Sequence, residues 1–136
     1  MDRVFLDANV LFSAAYSLES PMRELWELPG VEVLTSLYAV EEARRNLARK
    51  NPSAMSRLND LVARLDLCVW QSSHLSLPQG IELAEKDAPV LAAAVYAKAS
   101  HLLTGDKHFA HLFGQTVSGV TILRPGRYLD FKRAMG

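Results

Sequence analysis

Apolar residues in this chain fall into short runs separated by helical stripes. Val4 to Leu6 is too short a run for a helix and stops at Asp7, after which Val10, Leu11, Ala14 and Ala15 recur at helical spacing. That pattern predicts a strand feeding a helix. Ser20 followed by Pro21 marks a second, short helix, with Met22, Leu25, Trp26 and Leu28 as its apolar face and Pro29 and Gly30 as its end. Val31 to Leu34 predicts another strand, and Thr35 or Ser36 caps a long helix running from Leu37 to Lys50. Asn51, Pro52 and Ser53 break the chain before a helix over Ala54 to Leu65, striped by Met55, Leu58, Leu61, Val62 and Leu65. Leu67 to Trp70 predicts a third strand.

The second half continues the alternation. Gln71 to Gly80 is rich in Ser, Gln and Pro and reads as a loop, with a helical turn around Ile81 to Glu85. Ala88 to Ala99 is apolar almost all round, the signature of a helix buried against several neighbours. Leu102 and Leu103 predict a fourth strand, Asp106 to Phe113 a short helix, and Val120 to Leu123 a fifth strand before Arg124, Pro125 and Gly126. Short strands separated by helices favour a parallel sheet, because parallel neighbours require long crossovers. The expected fold is therefore α/β: a three-layer α/β/α sandwich with a central, mainly parallel five-stranded sheet, in a single domain over residues 1–136.

Bulk properties narrow the chemistry. The 15 basic and 15 acidic side chains of the 136 residues cancel, so there is no overall basic excess and any nucleic-acid site must be local. The lone cysteine, Cys68, cannot form an intrachain disulfide, which favours a reducing, cytoplasmic setting. No signal-type segment opens the chain, and no stretch reaches the roughly 18 apolar residues of a membrane helix, so no membrane association is expected.

In open parallel sheets, ligands bind beyond the carboxyl ends of the strands. Asp7 and Asp106 follow predicted strands, Asp87 starts the most buried helix at the same edge, and Glu42 lies within reach of that edge on the long helix. Each acid has an ordinary alternative. Asp7, Asp87 and Asp106 precede helical segments, where aspartate is a favoured cap, and a helical glutamate usually faces solvent. Periodicity does not separate Glu41 from Glu42, since both flank the stripe of Val40, Ala43 and Leu47. Four converging carboxylates, however, repel one another and raise one another's pKa unless a cation joins them. Hard oxygen donors without convergent Cys or His suit Mg²⁺ or Mn²⁺, which can hold a water as nucleophile and stabilise charge on a phosphodiester.

These residues, in this order, resemble the PIN-domain family of ribonucleases, which includes the VapC-type toxins of bacterial and archaeal toxin–antitoxin pairs. The segment FLDANVLFSA resembles the family's first motif, with Asp7 as its acid and Asn9 two residues on. TSLYAVEEARRNL resembles the second, in which the acid follows the serine by six residues, an offset that selects Glu42. KDAPVLAAAVYAKASHLLTGDKHF resembles the third and fourth together, placing Asp87 before the small-residue helix and Asp106 after the next strand. The resemblance implies an Mg²⁺- or Mn²⁺-dependent endoribonuclease with Asp7, Glu42, Asp87 and Asp106 as metal-binding and catalytic residues. It implies Asn9, Ser36 and Thr104 as groups that orient ligands or water. It also implies an RNA substrate, a homodimer and, for a toxin, an antitoxin partner.

One position departs from the family pattern. The residue two after the last acid is aspartate in many members and His108 here, so a fifth carboxylate is absent, with Glu85 as a substitute. His108 is open between phosphate contact and a structural or surface role. Arg44, Arg45 and Lys107 are candidates for holding an RNA backbone, against the alternative of solvated, locally paired charges. Arg124 and Arg127 could also flank the groove. His101, His108 and His111 make a weak case for zinc, because an HxxH without a third ligand is common. Trp26, Trp70 and Phe113 read as core rather than as base-stacking platforms. Two other readings remain: an aspartate-nucleophile phosphatase built on Asp7, which lacks the usual second Asp at Asn9, and a non-catalytic binding module of the same fold.

Overall fold

A computed structural model of the chain describes residues 1–69 and 77–136. Its strands are β1 (Asp2–Leu6), β2 (Val31–Ser36), β3 (Asp66–Cys68), β4 (His101–Leu103), β5 (Thr116–Val117) and β6 (Val120–Leu123), in one sheet of order β3-β2-β1-β4-β6-β5. All neighbours are parallel except the β5–β6 hairpin. The helices are α1 (Ala8–Tyr16), α2 (Leu37–Lys50), α3 (Met55–Val62), α4 (Ala88–Tyr96) and α5 (Pro125–Met135). The mainly parallel α/β/α sandwich expected from the alternation is thus the fold.

Alternation along each strand divides the core into two. Val4 and Leu6 of β1 and Leu103 of β4 point into one cluster, with Val10 and Leu11 of α1, Val40 and Leu47 of α2, Leu58 of α3 and Tyr128 of α5. Phe5, Leu102 and Ile122 point the other way, onto Leu91, Ala93 and Ala94 of α4 and onto Phe109 and Leu112. Helix α4 is apolar all round because its small residues pack closely on the sheet while neighbouring loops cover its back. It ends at Tyr96, earlier than Ala99, where Lys98 takes a left-handed φ of 57°.

Several expectations are corrected. Among the described residues the sheet has six strands, not five: β5 has only two residues, too few for an alternating pattern, but Ser118 and Gly119 both have positive φ (48° and 85°), the geometry of a tight hairpin turn. The short helices expected after Ser20 and Gly105 are present, as 3-10 helices over Pro21–Glu27 and Lys107–Leu112, in keeping with runs too short for an i to i+4 ladder to outweigh nucleation. The α-helical part of the third stripe is Met55–Val62, preceded by a 3-10 turn at Pro52–Ala54. Residues 81–84 form no helix, and a turn at 85–87 leads into α4. Helix α5 was not anticipated, because Arg124, Pro125 and Gly126 resemble a turn; Pro125 instead opens the helix. Buried Tyr128 anchors it, its hydroxyl donating to Asp2 Oδ2 at 2.7 Å beside the Lys132 ammonium at 2.9 Å. The third strand spans Asp66–Cys68; Trp70 and most of the Ser/Gln-rich loop lie outside the described residues. No helix among those residues is long and apolar enough to cross a membrane.

Candidate active site

From β1 the chain steps to β2 and β3 on one side, then returns to place β4 on the other. The strand order therefore reverses between β1 and β4, where a crevice opens beyond the carboxyl ends of parallel strands. Asp7 follows β1 directly, its amide donating to Leu103 O at 3.1 Å, and Asp106 follows β4 after Thr104 and Gly105. Helix α4 runs back towards β4, so its N-terminus, with Asp87, sits over the same edge.

Asp7 is buried, 3% exposed, at the carboxyl end of β1. Its Oδ1 caps α1 by accepting from the Ala8 amide at 2.7 Å, and its Oδ2 accepts from Thr104 Oγ1 at 2.7 Å and Asn9 Nδ2 at 3.3 Å. Burial pushes its pKa up to about 6; the Thr104 and Ala8 bonds oppose the rise, and the nearby Glu42 and Asp106 carboxylates reinforce it. Thr104 and Asn9 also fix the loop after β4. Thr104 Oγ1 accepts from Asn9 Nδ2 at 3.2 Å and from the Asp106 amide at 3.0 Å, while Asn9 Oδ1 accepts from the Gly105 amide at 2.8 Å. The register of the two acids is thereby set by two neutral side chains.

A groove of about 460 Å³ at this edge is lined by Asn9, Glu42, Arg45, Asn46, Lys86, Asp87, Gly105 and Asp106; the buried Asp7 is not among its lining residues. Glu42 is half-buried on its wall, whereas Glu41 is exposed and outside it. Asp87 is 6% exposed, yet its carboxylate makes no capping bond to α4, and Oδ2 finds no hydrogen-bond partner among the described residues. An ordinary capping role thus fails to explain it. Its pKa is raised by burial and by the Asp106 carboxylate, with His108 and Lys86 acting in the opposite sense.

Among the described residues, the side chains whose ligand atoms come together are Asp87, Asp106 and His108; Asp7 and Glu42 are not in that group. His108 Nδ1 lies 3.0 Å from Asp106 Oδ1 and 3.4 Å from Asp87 Oδ2, and one ligand atom from each of the three residues lies within 4.8 Å of the others. Its position follows from the turn itself, since the His108 amide donates to Asp106 Oδ1 at 2.9 Å. The spacing of His108 two residues after Asp106 carried this signal, in the position where the family pattern holds an acid.

The remaining candidates divide by location. Arg45 reaches the groove, but Arg44 donates to Asn59 Oδ1 on α3, and Lys107 and Glu85 are not among the groove-lining residues. Ser36 is buried and caps α2 by accepting from the Ala39 amide at 3.2 Å, which fixes the start of the helix carrying Glu42. His111 Nε2 contacts Glu82 O at 2.9 Å, and His101 lies beside Tyr128 at the start of β4, so neither joins His108. Trp26 packs against the core and donates to Leu61 O, while Phe113 is half-buried under the Arg124 guanidinium. Sequence reasoning missed Lys86 and Asn46 on the rim. It also missed Tyr38, whose hydroxyl donates to Lys86 O at 2.8 Å and ties the approach to Asp87 onto α2. Isolated polar residues on a helix or loop give no periodic signal.

Fold and groove together define a doubly wound α/β domain with an acidic pocket at its switch point. A family model described as PIN domain matches residues 3–108, and the chain belongs to that family. Among solved structures it is similar to VapBC2 from Rickettsia felis bound to a promoter DNA fragment, with a TM-score of 0.65, 15% identity, and coverage of 90% of this chain and 98% of that one. It is similar to VapC20 of Mycobacterium tuberculosis, a sarcin–ricin-loop-cleaving toxin, with a TM-score of 0.60, 14% identity and coverage of 79% and 93%. The PIN domain of T. brucei RRP44 matches with a TM-score of 0.61, 15% identity and coverage of 99% and 81%. No curated protein matches the chain in sequence.

Proposed function

We propose that this chain is a metal-dependent endoribonuclease, one domain over residues 1–136, with Asp7, Glu42, Asp87 and Asp106 as its acidic centre. The observation that carries this reading is the buried Asp87 Oδ2, without a hydrogen-bond partner among the described residues, in a groove that also holds Asp106 and Glu42, whose carboxylates act on the buried Asp7. Carboxylates crowded in this way, two of them with raised pKa, are costly until a cation neutralises them. The donor set is mostly hard oxygen, which suits Mg²⁺ or Mn²⁺. Asp87 and Asp106 would hold the ion, with Asp7 and Glu42 completing its surroundings. When bound, the ion supplies Lewis-acid charge for a phosphodiester and acidifies a water.

The chain's own groups do the rest. Thr104 and Asn9 keep the Asp7 and Asp106 carboxylates in register, so little reorganisation is needed on substrate binding. Arg45 and Lys86 on the rim offer positive charge to the RNA backbone, the local basic site that a chain with zero net charge needs. Membership of the PIN family and likeness in fold to VapBC proteins support a toxin held by an antitoxin; that it works as a homodimer in the cytoplasm belongs to the same proposal. Incubation of chelator-treated protein with single-stranded RNA and with small phosphate monoesters, with and without Mn²⁺, tests the reading. Internal RNA cleavage only with metal is expected; turnover of monoesters with intact RNA would establish the phosphatase alternative instead.

A further inference from the structure

We propose that His108 is a metal ligand through Nδ1, and that the centre selects a first-row transition ion such as Mn²⁺ over Mg²⁺. This rests on the metal-centre reading above and adds to it the identity of a nitrogen donor.

His108 Nδ1 faces two carboxylate oxygens, Asp106 Oδ1 at 3.0 Å and Asp87 Oδ2 at 3.4 Å. A bare nitrogen lone pair opposite two carboxylates is repulsive, so something positive belongs between them: a proton on the ring or a cation. A proton shared with Asp106 satisfies that acid alone. It leaves Asp87 Oδ2, on a side chain only 8% exposed, with no hydrogen bond among the described residues, since 3.4 Å to the imidazole does not make one. A single cation ligated by all three groups satisfies every atom.

The spacing agrees with that occupant. Ligand atoms about 2.1 Å from one ion at adjacent octahedral positions lie about 3.0 Å apart, close to the separations seen here. The ligand atoms of the three side chains already fall within 4.8 Å of one another. Imidazole nitrogen is a softer donor than carboxylate and strengthens binding of transition ions relative to Mg²⁺, which keeps to oxygen and water. The histidine therefore changes the chemistry of the centre instead of merely removing an acid.

The test uses the full chain, stripped with chelator and titrated with Mn²⁺, read by electron paramagnetic resonance for bound ion and by spin-echo modulation for directly coordinated ¹⁴N. Wild type and His111→Ala are expected to show ¹⁴N coupling; His108→Ala is expected to lose it and to bind Mn²⁺ roughly tenfold or more weakly, with a smaller change for competing Mg²⁺. His108→Asp is expected to regain affinity, now without preference for Mn²⁺. Circular dichroism verifies that the variants are folded. Absence of ¹⁴N coupling in wild type, or tighter Mn²⁺ binding by His108→Ala, would overturn the proposal in favour of a protonated histidine that the metal must displace. RNA cleavage on the same samples separates the two readings: cleavage with Mn²⁺ but no ¹⁴N coupling refutes the ligand and leaves the nuclease, whereas ¹⁴N coupling without cleavage establishes the ligand and refutes the nuclease.

Discussion

Replacing Asp7 by Asn is expected to make the metal-free protein more stable at neutral and alkaline pH while removing its function. The folded-state pKa of Asp7 is about 6 against an ordinary 3.8, so folding favours its protonated form. The sign follows from that direction: the penalty is absent below the unfolded-state pKa, grows as pH rises from about 4 to about 6, and is constant above. Its full size is about 3 kcal/mol. Asn is neutral and nearly isosteric and can still accept from the Ala8 amide. It fits Thr104 less well, because Thr104 Oγ1 already accepts from Asn9 and the Asp106 amide, and we set that loss at about 1 kcal/mol. The net gain at pH 8 is about 2 kcal/mol, or roughly 7 °C in Tm for a chain of this length. Urea and thermal denaturation in chelator, at pH 4 and pH 8, measure it. The advantage of the variant should vanish or reverse at pH 4. With saturating Mn²⁺ at pH 8 the order should invert, since ion at about 100 times Kd stabilises wild type by about 2.7 kcal/mol. A variant less stable than wild type in chelator at pH 8, or a difference independent of pH, would refute the reasoning.

Two further outcomes separate positioning from binding. Thr104→Val removes the donor to Asp7 and the acceptor for the Asp106 amide without changing charge; cleavage and Mn²⁺ affinity should each fall roughly 10- to 100-fold with the far-ultraviolet spectrum unchanged. Glu42→Gln should lower cleavage at least roughly tenfold, as loss of a charged group at a metal site does, while Glu41→Gln should leave it unchanged. Equal loss in both glutamate variants, measured on labelled RNA, would remove Glu42 from the centre.

The elements that the sequence made legible are those with a long or one-sided pattern. Strand β1 ending just before Asp7, the amphipathic α2 and the all-apolar α4 each bury a face, and their order implies the parallel sheet. The hairpin strand β5 was hidden because two residues have no period, although Ser118 and Gly119 were a turn signal in plain view. Helix α5 was hidden because a proline begins helices and turns alike, and because its anchor is a tertiary bond from Tyr128 to Asp2, at the opposite end of the chain.

The site shows the same division. Asp7, Asp87 and Asp106 could be placed from strand and helix ends, and the serine offset picked Glu42 from an ambiguous pair. Its neutral framework and its rim could not. Thr104 was named as an orienting group, yet its triple bonding to Asp7, Asn9 and Asp106 depends on two strands meeting at their ends. Arg44 and Arg45 are neighbours in sequence but point to α3 and to the groove respectively, a difference set by helical rotation and the packing of α3 on α2. In sequence His108 stands where the family pattern holds an acid; in three dimensions it occupies the space beside Asp87 and Asp106.

On the proposed function, a cation held by these carboxylates enables the chain to cut RNA. The most direct test is cleavage of a labelled RNA by chelator-treated wild type and by Asp106→Asn, each before and after adding Mn²⁺. Neither protein is expected to cleave before addition; wild type is expected to cleave internally after it, and Asp106→Asn at a rate lower by roughly a hundredfold or more, in line with removing one metal-bound charge from a catalytic centre. Cleavage that persists in chelator, or that Asp106→Asn supports at the wild-type rate, would contradict it.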